Sequence, residues 1–429
     1  MTRTADADQS QTDREVAGSA FMLVASLVGI YIISQFFRSS TGVIGPDLAR
    51  EFGLDASRLS LLSSLFFLSF AAAQIPLGVA IDRFGPKAAM LATAAIMIAA
   101  TLMFAMAENF FTLALARLLL GIGCCSYLMA PLAIYAERFS PHRFAAMVGV
   151  QLGGGSLGML VATKPLAEAT ATFGWRASFL GVAVFAACMT ALVFLFVHES
   201  AKGKAQRRAR AEGLGQALRG VAAAARVESF WRLFFMQAAT YSAFAAILGL
   251  WGGPWLSQTY GMSLETRGFY LLIFAVFQIG GLFALGPVDR YFASYKRPSI
   301  IMAVFALALA ALAAAAPLPV GALPYFLAAY GFALAYSPLL TAHGKSLFPP
   351  ELTGRGLTLL NMGTIGGVFV QQTLTAWLVE MFGSTMVDGV KTYPPAAYRA
   401  VFAIIALELL LALALYFRAR DPHPARAGS

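Results

Sequence analysis

Two arginines sit inside apolar runs, where a charge is costly and faces a partner or an aqueous cavity. Arg38 follows the stretch FMLVASLVGIYIISQFF, and Arg117 opens RLLLGIG. With a 1.5 Å rise per residue, Arg38 lies roughly 13 Å below the end of its helix and Arg117 roughly 12 Å deep from the same side. No acidic residue in the first, second, fourth or fifth apolar helix can neutralise them. A buried guanidinium without a carboxylate needs another anion. Its planar fork suits a carboxylate or phosphate held by two parallel hydrogen bonds. A substrate carrying its own negative group is the simplest source. Arg117 is also open to a role in proton transfer or helix packing.

Other candidates are neutral. The seventh helix carries Tyr241 and the run LWGGPW, with Trp251 and Trp255 one turn apart. Gly-Gly-Pro is expected to break that helix, and broken membrane helices favour gates and sites. The two tryptophans would then close over a substrate or anchor at the membrane interface. Gln74, Tyr330, Tyr336, Asn361, Gln371 and Gln372 offer hydrogen bonds, although each alone is more often a helix contact. Lys164 reaches an outer vestibule or snorkels to the interface. Glu408 is isolated in the twelfth helix; its readings are a neutral carboxyl bonded within the protein and a proton-coupling group. The three cysteines and four histidines lack ligand or disulfide spacing. No metal, cofactor, catalytic cluster or phosphate loop G-x-x-x-x-G-K-S/T is evident, which speaks against an enzyme and against direct ATP drive.

The elements that must hold these residues follow from composition. Of 429 residues, 59% are hydrophobic and 12% charged. A soluble chain is about half apolar and a quarter charged. A soluble enzyme, a coiled coil and a disordered chain are therefore excluded, and an all-α membrane protein is expected. Apolar runs predict twelve transmembrane helices at 17–45, 58–81, 88–107, 109–136, 144–166, 176–197, 230–257, 266–287, 298–316, 321–344, 355–382 and 397–417. Residues 1–16 read as a disordered tail and 418–429 as a second tail. Residues 198–229 read as a basic, partly helical surface linker. With both termini cytoplasmic, 22 of the 31 Lys and Arg fall inside, as the positive-inside rule requires. The net charge of +10 thus reflects topology rather than nucleic-acid binding.

The halves repeat. Gly53 matches Gly261, Asp82–Arg83 matches Asp289–Arg290, and Gly154–Gly155 matches Gly366–Gly367. Two six-helix bundles, 17–197 and 230–417, would be related by an axis along the membrane normal, the parallel repeat of a rocking transporter.

The loop Gly78-Val-Ala-Ile-Asp82-Arg83-Phe-Gly85-Pro-Lys87 resembles the signature G-x-x-x-D-R-x-G-R-K/R of the major facilitator superfamily. Arg117-Leu-Leu-Leu-Gly121-Ile-Gly123 resembles its R-x-x-x-G-x-G motif, and Glu137–Arg138 and Gly174-Trp175-Arg176 are also common there. The resemblance implies a conformational latch of Gly78, Asp82, Arg83, Gly85, Lys87 and Glu137, echoed by Asp289 and Arg290. Asp82 would accept hydrogen bonds at a helix N-terminus, where the dipole favours an anion. Arg83 would pair with Glu137. FFRSSTGVIGPDL also resembles the first-helix pattern of the organic anion:cation symporter branch, where arginines of helices one and four serve anion recognition. Phe37 replaces that pattern's aspartate, and Cys124–Cys125 stand near its fourth-helix acidic residue. The branch's proton site is therefore not carried over.

The expectation is a monomeric, multi-pass transporter of a bacterial inner membrane. It would move a small organic anion by alternating access, driven by a proton or another ion. Alternatives are proton-driven multidrug efflux and uptake of amino acids or peptides.

Overall fold

A computed structural model describes residues 2–139, 141–198, 214–286, 288–349, 352–387 and 390–422. Glycines and polar caps divide the apolar chain into helices. α1 (Thr2–Phe52) ends at Gly53, whose φ of 62° suits a residue without Cβ. Asp55 then accepts the Arg58 amide at 2.9 Å and starts α2 (Ala56–Phe84). Gly85, at φ 94°, turns the chain into α3 (Pro86–Ala105). Asn109 caps α4 (Phe110–Cys124), and after a break α5 (Met129–Arg138) continues the same path. α6 (Pro141–Val161) is followed by α7 (Lys164–Phe196), which Gly174 interrupts at φ 80°. The fifth expected helix therefore ends at Gly174 rather than at 166.

α8 (Leu214–Ala224) is the described part of the linker; 199–213 lie outside the described residues. α9 (Phe230–Ala246) runs through a π turn (Ile247–Trp251) into α10 (Gly252–Tyr260). Gly261 has φ 66°, and Ser263 caps α11 (Leu264–Leu285), reproducing the Gly53–Asp55 junction. α12 (Val288–Phe292), α13 (Lys296–Ala315), α14 (Leu323–Ala333), α15 (Ser337–Leu347), α16 (Thr353–Met381) and α17 (Pro395–Tyr416) complete the helices. A small antiparallel hairpin, β1 (Thr385–Val387) and β2 (Val390–Thr392), joins α16 to α17 and was not foreseen. Ten helical segments among the described residues are long and apolar enough to cross a membrane. Helices satisfy their own backbone groups, which a bilayer demands. Their outward faces expose Phe194, Trp377 and Leu411, as lipid solvation allows.

Matching close contacts recur in both halves of the sequence. A Cβ on Gly121 would meet the Phe66 carbonyl oxygen at 2.2 Å, and one on Gly331 the Phe274 carbonyl oxygen at 2.3 Å. Glycine lets the helices touch there. Contacts from α1 and α2 to the second half of the chain gather where α1 ends. A Cβ on Gly253 would lie 1.9 Å from the Gly42 carbonyl oxygen. Arg267 pairs with Asp47 at 2.5 Å, and Lys391 with Asp55 at 3.4 Å. The Tyr393 hydroxyl accepts the Ala56 amide and donates to Glu380, both at 2.9 Å. Burial raises that hydroxyl above its ordinary range, so it stays protonated as a donor. At the opposite end, α8 packs against α2 and α16.

Candidate functional site

The two arginines are in different situations. Arg117, on α4, is 1% exposed. Its Nε donates to the Leu62 carbonyl at 2.9 Å and its Nη1 to the Phe37 carbonyl at 3.0 Å. It thus ties α4 to the backbones of α1 and α2. Arg38, on α1, is half-buried. It makes one long hydrogen bond, from Nη1 to the Tyr241 hydroxyl of α9 at 3.3 Å, and its Nε is buried without a partner. Neither arginine pairs with a carboxylate among the described residues. Both lie over rings of α2, Arg38 over Phe70 at 4.6 Å and Arg117 over Phe66 at 5.1 Å. Such cation–π contact stabilises a cation without neutralising it.

Around Arg38 the structure gathers groups whose bonds are incomplete. Tyr31, Gln35 and Arg38 share one face of α1, at the spacing i, i+4, i+7. Tyr31 is within electrostatic range of Arg38, and Gln35 Oε1 is buried and unpartnered. From the second half come Tyr241 and the region of Gln372, a side chain with neither amide atom bonded. Elsewhere among the described residues, Gln237 Oε1, Gln278 Oε1, the Tyr330 hydroxyl and Arg117 Nη2 are also buried and unpartnered. Tyr31, Gln35 and Phe70 escaped the reading of the sequence, although the 31-35-38 spacing was visible in it.

Other expected site residues have different occupations. Gln74 Nε2 donates to the Cys125 carbonyl at 3.4 Å, in the break between α4 and α5. That break frees carbonyls, and Ser34 and Gln74 reach them. Gln151, unremarked in the sequence, donates to the carbonyls of Leu27 and Tyr127 and accepts from the Tyr135 hydroxyl. Trp251 donates to Thr375 at 2.8 Å, and Trp255 packs among Tyr260, Phe326 and Phe402. Both tryptophans are buried in this conformation. Gly-Gly-Pro does not break its helix. The π turn one turn earlier absorbs the missing Pro254 amide, and the two glycines make room for neighbouring helices. Asn361 is half-buried on α16, and Gln371 donates to Glu408 at 2.5 Å. Lys164 pairs with Glu168 at 3.4 Å rather than standing alone.

At the loop between α2 and α3, Lys87 donates to the Phe194 carbonyl at 2.7 Å and caps the end of α7. Asp82, Glu137 and Asp289 each have an interaction partner. Arg83 does not pair with Glu137. It lies on the exposed side of the last turn of α2, over the Phe84 ring at 5.4 Å. Gly78 has open space around it, and the Arg290 side chain lies outside the described residues.

Among the described residues, helices long and apolar enough to cross a membrane enclose a set of buried, unpartnered polar groups. The model of the Major Facilitator Superfamily matches residues 27–369, and the chain belongs to that family. A probable sulfoacetate transporter of Cupriavidus necator is 26% identical over 60% of this chain and 60% of its own length. The gallate transporter of Pseudomonas putida is 24% identical over 83% of this chain and 85% of its own. A hexuronate transporter of Bacillus subtilis is 25% identical, but the match spans only 39% of this chain and 40% of that one. In fold, the chain resembles a bacterial homologue of the human lysosomal transporter Spinster, solved inward-facing and unoccupied. Its TM-score is 0.75 at 17% identity, covering 93% of this chain and 96% of that one.

Proposed function

We propose that the protein moves a small organic anion of carboxylate type across a bacterial inner membrane by alternating access, with Arg38 as its anion-binding residue. One observation carries this reading. Arg38 is a half-buried guanidinium with a single long hydrogen bond, a ring beneath it and no carboxylate partner among the described residues. A carboxylate would supply the missing counter-charge through two parallel bonds. Tyr31, Gln35, Tyr241 and Gln372 would hydrogen-bond the rest of the molecule. Arg117 holds the frame behind it. The relatives support the substrate class, since sulfoacetate, hexuronate and gallate all carry a carboxylate.

The architecture belongs to the same reading. Taking α4 with α5, α6 with α7 up to Gly174, α9 with α10, and α14 with α15 as single spans gives twelve. They form bundles at 17–197 and 230–417, joined by the linker 198–229. The charge bias puts both termini in the cytoplasm. The end held by Asp47 and Arg267 is then periplasmic, and the structure is closed outward. The working unit is a monomer.

The test is uptake of labelled gallate, galacturonate and sulfoacetate by the purified protein in proteoliposomes. One or more should be transported. Arg38→Ala should raise the dissociation constant at least about tenfold, because removing one partner of a desolvated pair costs about 2–5 kcal/mol. Arg38→Lys should also weaken binding, since it keeps the charge but loses the fork. Wild-type protein that recognises only cations, or folded Arg38→Ala with undiminished anion affinity, overturns the reading.

A further inference from the structure

Glu408 is the one carboxylate among the described residues set in the middle of an apolar span. It lies eight residues before the end of α17 and is flanked by Leu407, Leu409, Leu410 and Leu411. It is half-buried, and its Oε2 accepts a hydrogen bond from Gln371 Nε2 of α16 at 2.5 Å. Among the described residues, no ion pair reaches it. The cations on elements packed against α17 lie near the ends of those elements, Arg297 in the first turn of α13 among them. Lys296 of α13 donates to the Phe417 and Ala419 carbonyls, and Arg232 of α9 to the Arg418 carbonyl. Arg399, in the first turn of α17, donates to the Ala314 and Ala315 carbonyls. On α16, Arg355 lies near the first turn and Glu380 in the last. From α14, the Tyr330 hydroxyl comes within electrostatic range of Glu408. α10 brings Tyr260, whose hydroxyl donates to the Leu318 carbonyl.

Gln371 can serve both protonation states. Its amide N–H donates to an ionised carboxylate, whereas its Oε1, buried and unpartnered here, can accept from a neutral carboxyl after the amide turns over. The neighbouring residue faces another way. The Gln372 backbone carbonyl accepts from Ser60 Oγ of α2 at 2.6 Å, and its side-chain amide lies beside Gly249. Two successive residues of α16 thus connect the carboxyl to the closed contact between the halves of the chain.

We infer that Glu408 is the proton-carrying group of transport, and that Gln371 reports its protonation to the contact of α16 with α2. This rests on the anion-transport reading above. The step is a proton transfer only. Water on one side gives a proton to the Glu408 carboxylate, and the same O–H bond is broken toward water on the other side. The N-terminal half, where Arg38 and Arg117 lie deep in their spans and the carboxylates Asp47, Asp82 and Glu137 lie toward helix ends, would bind the anion; the C-terminal half would carry its proton.

The test uses the full-length protein in liposomes loaded with a pH-sensitive dye, with gallate and galacturonate as probes. Wild-type protein should acidify the lumen as the anion enters and accumulate it under an inward proton gradient. Glu408→Gln should lose at least about tenfold of both signals. It should still exchange labelled for unlabelled anion, a reaction that needs no net proton movement. Gradient-driven accumulation by Glu408→Gln at the wild-type level overturns the inference, as does wild-type anion uptake without proton entry. If Glu408→Gln purifies poorly, Gln371→Leu carries the test. It leaves the carboxyl but removes its donor, so the pH profile of exchange should move to higher pH; an unmoved profile overturns the inference. Wild-type protein that moves none of the carboxylates defeats the anion reading instead, and the two failures are thereby distinguished.

Discussion

Arg267 of α11 and Asp47 of α1 stand 220 positions apart in sequence and meet at 2.5 Å, from Nη2 to Oδ2. The arginine side chain is 4% exposed and the aspartate 23%. The pair bridges the two halves of the chain, so a transport cycle that opens this end must break it. Asp47→Asn would leave Arg267 desolvated without a counter-charge in the closed state alone. The expected shift toward opening is about 1–3 kcal/mol, or about 5–150-fold in population. Thiol labelling of Ser60→Cys, in a background without Cys124, Cys125 and Cys188, reads that shift. Equal labelling with and without Asp47→Asn would show that the pair does not hold this end shut.

Gly253 allows α10 to press on the backbone of α1. An added Cβ would sit 1.9 Å from the Gly42 carbonyl oxygen, which a rigid backbone cannot relieve. Gly253→Ala should therefore reduce transport to near background while leaving anion binding measurable. Transport at wild-type rates would mean that this approach is not needed in the cycle.

Arg117 and Arg38 should separate when each is truncated. Arg117→Ala removes two charge-assisted bonds to the Leu62 and Phe37 carbonyls, each worth about 1.5–3 kcal/mol. Its thermal midpoint in detergent should fall by several degrees. Arg38→Ala should keep its midpoint and lose anion affinity. The opposite pattern would exchange the roles of the two residues.

Gln151 should matter to stability although it touches no charge. It fills two acceptors and one donor linking α6 to α1, to α5 and to the broken segment after α4. Gln151→Leu strands the Tyr135 hydroxyl and the Tyr127 carbonyl, which faces Pro131 instead of an amide, at about 1–3 kcal/mol for each buried group left unpaired. A melting temperature equal to wild type would refute this.

Local chemistry was legible in the sequence. Gly53 with Asp55 and Gly261 with Ser263 announce helix ends, because caps depend on residues two or three apart. The isolation of Arg38 was legible too, because the absence of a nearby carboxylate is a property of composition. Arg117 looked the same, and its partners were hidden, since carbonyls of Phe37 and Leu62 carry no signal in residue type. The Asp47–Arg267 pair was hidden by sequence distance. The surroundings of the two tryptophans were hidden, since Thr375 and Phe402 lie more than 120 positions away in the sequence.

The π turn between α9 and α10 has a geometric consequence. Residues Ile247–Trp251 accommodate one more residue than an α-helical turn, and each residue of an α-helix advances about 100°. Every side chain beyond Trp251 thus stands where its predecessor would stand in an unbroken winding. If the turn tightened, Gly252 would take the angular place of Gly253 opposite Gly42. The glycine doublet keeps a hydrogen atom, and never a side chain, against α1 in either winding.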